Sequence, residues 1–218
     1  DELLIDIDIR RLVQEARHER RGAQGFKYRT VGLAADLMQE LGMKVTQLPG
    51  GEIVPAMERG VIDAFEFNNP TSDRRFGAQD VAKNYMMGSY HQAMEFFEIV
   101  INRNKFDALS KELQAILRYA ADATSTSNFA LAMDNYSKDL QGLIHQDKVK
   151  VTRTPSGIFD AQLKAWDVLT KRLSDEDPFF KKVVESQREW AKRVAYYHFY
   201  NDADYKKGYE HVFGKLGF

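Results

Sequence analysis

Two charged residues, each placed where a short apolar run ends, carry the strongest chemical signal in this chain. Arg29 closes the β-like run at residues 26–31, just ahead of Gly32 and a helical pattern. A guanidinium beside the unpaired amides of a helix start favours a carboxylate or a phosphate. Glu66 sits in the otherwise apolar run at residues 61–67, directly before the break at Asn68-Asn69-Pro70. A carboxylate there either faces solvent at a sheet edge or points into a cleft, where it needs a cation or a donor. Arg29 could supply the donor, and a metal ion with oxygen ligands could supply the cation. Phe67 either packs in the core or walls the same opening, with the two asparagines beside it. Taken singly, Arg29 also reads as an ordinary surface arginine.

Tyr90, His91 and Gln92 precede another β-like run, and His91 could act as a ligand or a base. The remaining histidines, His18, His145, His198 and His211, are scattered, with none at metal-ligand spacing from His91. No HExxH, GxSxG, P-loop or GxGxxG pattern is present. An enzyme acting on a small carboxylate, with Glu66 or His91 as general base, is the alternative to a pure binding site.

These residues must be positioned by the elements around them. Residues 26–31, 43–48 and 61–67 alternate as strands. Residues 32–42 predict a helix with Leu33, Leu37, Met38 and Leu41 as its buried stripe and Gly42 at its C-terminal cap. A second short helix spans 52–59, with Pro55 in its early turns and Gly60 after it. Strand, helix, strand, helix, strand with short links is the pattern of a parallel sheet with helical crossovers. Such sheets bind ligands beyond the carboxyl ends of their strands, which is where Arg29 and Glu66 fall.

Composition narrows the function classes. The 218 residues carry 31 basic and 32 acidic side chains, for a net charge of -1, without the basic excess a nucleic-acid partner requires. Cysteine is absent, so disulfides, thiolate metal sites and a cysteine nucleophile are excluded. No apolar run approaches the length of a membrane span. The chain opens at Asp1 without a signal-peptide pattern, and reads as mature, truncated or fragmentary.

Further along, residues 71–83 predict loop and short helix, and 94–102 a strand. Ser110 can cap a long helix that continues past Leu140, since neither Pro nor Gly interrupts it before Gly142. A strand at 149–153 and a helix at 155–173 follow, and Asp177-Pro178 opens another helix in cap-then-proline order. The last forty residues hold Trp190, Tyr196, Tyr197, Phe199, Tyr200, Tyr205 and Tyr209, expected to pack on the core or on a second copy of the chain.

Taken together, Lys27–Arg29, Gly50–Glu52, Ala56, Gly60, Asp63–Ala64 and Glu66 resemble the central segment of the TRAP-transporter extracytoplasmic solute-binding proteins, the DctP family. That family shows a KxR motif, a helix, and then a segment of the form GGExxxAxxxGxxDAxE. The resemblance covers about residues 25–218. It implies an α/β, periplasmic-binding-protein-like two-lobed fold that closes on a small organic acid and delivers it to a membrane permease. It further implies that Arg29 pairs with the ligand carboxylate. By similarity to the 2-oxo acid and lactate binders, Glu66 and Phe67 help to hold a metal ion, Na+ or Ca2+. Tyr90 and His91 stand where relatives line the cleft. A periplasmic location, no catalysis, and a homodimer through the C-terminal helices belong to the same expectation. A sensor domain on this fold would need a fused signalling segment, and none is visible.

The departure is at the front. Relatives have well over a hundred residues before the KxR motif, so the fold is expected to be incomplete, with most of the first lobe missing. The expected division is a non-family segment at 1–24, an α/β ligand-binding lobe with crossover strands at 25–105, and helices and a strand completing the lobes at 106–218. Residues 4–9 alternate Ile and Asp as a strand would, and Arg10 to Gln24 is arginine-rich without apolar periodicity. Back-translated and read one base later, residues 12–24 can give an aromatic pair, a basic-proline turn and a helix leading into Gly25, which suggests a frameshift near Gln24.

Overall fold

The computed structural model describes residues 25–88 and 98–217, together with the backbone of residues 3–5. Six strands form one sheet: β1 (Leu3–Ile5), β2 (Lys27–Arg29), β3 (Lys44–Thr46), β4 (Ala64–Glu66), β5 (Asn84–Met87) and β6 (Lys150–Arg153). Their order across the sheet is β3-β2-β4-β1-β5-β6. β2 lies parallel to both β3 and β4, β5 lies parallel to β6, and β1 runs antiparallel between β4 and β5. The strand expected at residues 4–9 is therefore described only at its start, with residues 6–24 outside the described residues.

The parallel half forms because each crossover is short and amphipathic. Helix α1 (Leu33–Glu40) joins β2 to β3, and helix α2 (Ile53–Glu58) joins β3 to β4. Leu37 and Met38 are buried under α1 as its spacing predicts. Leu33 is not: it is 38 % exposed, and Ala35 is buried instead. Leu33 is the first residue of α1, and helical side chains tilt toward the N-terminus, which carries Leu33 past the rim of the sheet. Gly42 and Gly60 both adopt positive φ directly after these helices, the conformation that lets the chain turn back into a strand.

Alternation along the strands builds two cores. Tyr28, Ala64 and Met86 face α1 and pack with Met38. Phe65 and Tyr85 face the opposite side and pack with Ile53, Ile62 and Leu143. Asn69 caps helix α3 (Pro70–Arg75), its side chain accepting from the Thr71 and Ser72 amides in a reciprocal capping box. Helix α4 (Ala78–Val81) and β5 follow. Tyr85 and Met86 of β5 are fully buried.

Beyond a short helix α5 (Arg103–Asp107) runs α6 (Lys111–His145), 35 residues long and capped by Ser110. Its ends are docked, through Gln114 at one and Gly142 and Leu143 at the other, while Tyr119, Phe129 and Leu131 between them are exposed. Helices α7 (Ser156–Glu176), α8 (Pro178–Asn201) and α9 (Tyr205–Phe213) complete the chain, with Asp177 capping α8 ahead of Pro178. No helix among the described residues is long and apolar enough to cross a membrane.

Two expectations about packing do not hold. The strand predicted over 94–102 does not appear in its described part, 98–102, where Ile99 and Val100 are 72 % and 86 % exposed. No neighbouring strand pairs with this segment among the described residues, and an isolated strand leaves its backbone bonds to water. The C-terminal aromatic residues do not pack on the core either. Trp190, Tyr196, Tyr197, Phe199, Tyr200 and Tyr205 are exposed, because only Val184 of α8 and no residue of α9 is buried.

Candidate functional site

β2 and β4 are pinned together at both ends. At their amino ends Lys27 pairs with Asp63, Nζ to Oδ1 at 3.2 Å, and the Lys27 amide donates to Oδ2 at 3.0 Å. At their carboxyl ends the Arg29 guanidinium donates through Nη1 to the Glu66 carbonyl at 2.8 Å and to Glu66 Oε1 at 3.1 Å. The register sets Arg29 opposite Phe65, and the pleat then places Arg29 on the Phe65 face and Glu66 on the Ala64 face. They meet because Arg29 is the last residue of β2 and its long side chain folds over the strand ends.

Two further groups complete the cluster. Arg29 Nε donates to the Leu48 carbonyl at 2.9 Å, tying in the segment after β3. The Thr30 hydroxyl donates to Glu66 Oε1 at 2.9 Å. Arg29, Thr30 and Glu66 are 5 %, 0 % and 3 % exposed, so this is a buried ion pair with added hydrogen bonds. Burial pulls the Arg29 guanidinium below its ordinary value, and the adjoining Glu66 carboxylate opposes that shift. Thr30 was not singled out in the sequence; its position one past Arg29 in a parallel strand was the available signal.

Phe67 forms the aromatic side of the cluster. Its ring lies 5.8 Å from the Arg29 guanidinium carbon and meets Phe76 edge-on at 4.8 Å between centroids. Gly50, in the turn Gly50–Glu52, is pressed against it: a Cβ there would stand 2.6 Å from Phe67 Cε2. Phe67, Asn68 and Asn69 are half-buried. Tyr90 and His91, expected to line the same opening, lie outside the described residues.

Arg29, Thr30 and Glu66 thus gather at the carboxyl ends of the parallel strands with the Phe67 ring beside them, the end at which such sheets bind ligands. A sequence profile described as bacterial extracellular solute-binding protein, family 7 (DctP), matches residues 19–176. The chain belongs to this family. The match begins ahead of Gly25 and includes β2 to β6.

Among curated relatives, this DctP-family chain is 29 % identical over 188 residues to a monocarboxylate 2-oxoacid-binding periplasmic protein of Nostoc sp., covering 84 % of this chain and 50 % of the relative. Among solved structures it is similar to a TRAP periplasmic solute-binding protein of Colwellia psychrerythraea with bound calcium and pyruvate. That likeness has a TM-score of 0.78 at 23 % identity and covers 94 % of this chain and 60 % of that one. A counterpart from Pseudoalteromonas atlantica holds sodium and pyruvate, with TM-score 0.76 at 23 % identity over 97 % of this chain and 60 % of that one. A third, from Bordetella bronchiseptica, is described as a mixed-occupancy dimer with calcium and picolinate; it has TM-score 0.78 at 24 % identity over 91 % and 56 % of the two chains. The fold is that of the TRAP periplasmic solute-binding proteins, and the chain spans between half and three fifths of the length of these relatives.

Glu66 offers carboxylate oxygens and Thr30 a hydroxyl oxygen, beside the Arg29 guanidinium, and such hard oxygens suit sodium or calcium rather than a softer metal. Glu66 and the Phe67 carbonyl would hold such an ion as part of its shell. Among the described residues no group of three or more His, Asp or Glu side chains is placed to hold a metal ion.

Proposed function

We propose that this chain supplies the carboxylate-gripping part of an extracytoplasmic solute-binding protein of a TRAP transporter. Its ligand is a small organic acid, a 2-oxo or 2-hydroxy monocarboxylate, taken up with a sodium or calcium ion. The observation that carries this reading is the buried Arg29–Glu66–Thr30 cluster at the carboxyl ends of β2 and β4. Arg29 makes the charge-assisted contact to the ligand carboxylate, and Glu66 and the Phe67 carbonyl hold the cation, whose charge offsets the second anion. Phe67 shapes the wall, with Tyr90 and His91 as further lining residues. No bond is made or broken. The 2-oxoacid binder of Nostoc and the pyruvate complexes of the Colwellia and Pseudoalteromonas proteins support this ligand class.

The protein works in the periplasm and hands its ligand to membrane permease subunits, as the family's role in transport supports. The exposed aromatic face of α8 and α9 supports a homodimer through these helices. The test is a thermal melt of the full chain with calcium and pyruvate. Stabilisation without consumption of pyruvate, abolished by Arg29→Ala, is the expected result. An undiminished shift in the variant, or turnover, overturns the reading.

A further inference from the structure

Asp73 is a buried carboxyl group that the proposed binding chemistry does not use. It lies on α3, is 0 % exposed, and sits behind the strand end that bears Glu66 and Phe67. Two hydroxyls donate to it. The Tyr85 hydroxyl, itself buried on β5, donates to Oδ2 at 2.9 Å. The Ser72 hydroxyl donates to Oδ1 at 3.3 Å. Ser72 in turn accepts from the Asn69 backbone amide at 3.3 Å, and the amides of Asn68 and Asn69 work against the effect of burial on the carboxyl. These two amides belong to the link between β4 and α3, directly after Phe67.

A buried carboxylate of this kind is retained at a desolvation cost that an apolar residue would avoid. What it gains is geometric. Amides that leave a strand end have no ladder partner and must be paired by something else. Here Ser72 takes the Asn69 amide, Asp73 accepts from Ser72, and Tyr85 fixes Asp73 from a strand two places across the sheet. The Tyr85 hydroxyl has no other role in β5 pairing, which the backbone makes with β1 and β6.

We infer that Asp73 and Tyr85 are positioning residues for the anion and cation site: together they hold the Asn68–Asn69 turn through Ser72, and through it the strand end that bears Glu66 and Phe67. The inference rests on the binding reading for the purpose of the device, while the pinning itself can be observed without any ligand.

Two measurements on the full chain separate these parts. Amide hydrogen exchange without ligand reads the pinning. Asp73→Ala should raise exchange at Asn68 and Asn69 by about tenfold, and Asp73→Asn, which keeps one acceptor oxygen, should recover part of the protection. Amides of α6 should not change in either variant. Thermal shift with calcium chloride and sodium pyruvate reads the purpose. Tyr85→Phe, which removes only the hydroxyl, should reduce the ligand-induced shift by more than it lowers the unliganded midpoint. Arg75→Ala, on the exposed side of α3, should leave the ligand-induced shift intact. Unchanged exchange at Asn68 and Asn69 in Asp73→Ala overturns the inference, as does an undiminished shift in Tyr85→Phe. Raised exchange in a chain whose unsubstituted form shows no calcium–pyruvate shift supports the pinning and overturns the binding reading alone.

Discussion

Arg29 holds Glu66 by main chain and side chain at once: Nη1 reaches the Glu66 carbonyl at 2.8 Å and Oε1 at 3.1 Å. The first bond fixes where β4 ends and the second fixes where its carboxylate points. One residue therefore sets both the backbone and the charge of the proposed anion site. A lysine could not do this, because a single ammonium lacks the planar fork that spans two acceptors and still bonds the Leu48 carbonyl.

Removing one partner should be worse than removing both. Arg29→Met leaves Glu66 without its buried counter-charge and should destabilise the chain by about 3–5 kcal/mol. Glu66→Gln alone should also destabilise it, while the double variant Arg29→Met/Glu66→Gln should recover much of the loss. Urea melts of the four proteins give the coupling energy. A coupling below about 0.5 kcal/mol would mean that the pair behaves as an exposed one.

Asp73 gives the protein a pH dependence of known sign. Desolvation raises its carboxyl from 3.8 to about 7, against hydrogen bonds from Asn68, Ser72 and Asn69. The folded chain then binds the proton more tightly than the unfolded chain. The stabilisation from this group is full below the unfolded value and is lost as pH rises through about 7. Asp73→Asn removes the titration, so its stability relative to the unsubstituted chain should improve between pH 4 and pH 8 by a few kcal/mol, at about 1.4 kcal/mol per unit. Melts of the two proteins across that range check it; parallel curves would show that Asp73 titrates normally.

The parallel half of the fold was legible because glycines and short amphipathic runs punctuate it, and Arg29 and Glu66 were visible because each charge ends an apolar strand. Their convergence was anticipated in Arg29 as the donor that a buried Glu66 needs, but not its route: alternation alone sends them to opposite faces, and the reach of Arg29 over the rim brings them together. Thr30, Asp73 and Tyr85 were missed for a common reason: a buried polar residue is recognisable only by its partners, and the Asp73 partners come from β5 and the turn before α3. The 94–102 stretch misled because its β-rich composition says that a strand would be stable when paired, and pairing is a property of neighbours.

Gly50 is where space, not backbone freedom, demands glycine. Gly50→Ala sets a methyl 2.6 Å from Phe67 Cε2 and 3.0 Å from Cζ. The ring is held on its other side by Phe76 and must rotate away from the cluster. A loss of about 1–3 kcal/mol is expected, with altered ring shifts of Phe67 and Phe76 in aromatic NMR spectra. Gly51→Ala is the control, since nothing lies within 4 Å of the added carbon, and it should be close to neutral.

Gly142 poses the opposite problem, inside a helix where alanine is ordinarily favoured. Arg74, next to Asp73 on α3, lies flat against it and bonds Asp147 at 2.8 Å, Gln146 at 2.5 Å and Asp139 at 3.3 Å. A Cβ on Gly142 would stand 2.5 Å from the Arg74 guanidinium carbon, so the end of the arginine must shift, and its bonds to α6 and the turn after it are weakened or lost. Gly→Ala gains up to about 1 kcal/mol of helix propensity. In the unsubstituted chain the lost bonds should outweigh this gain, and Gly142→Ala should destabilise. In an Arg74→Ala background nothing is displaced, and the same substitution should stabilise. The reversal of sign between two urea-melt comparisons is the readout; the same sign in both would show that Arg74 does not hold α3 to the long helix through that glycine.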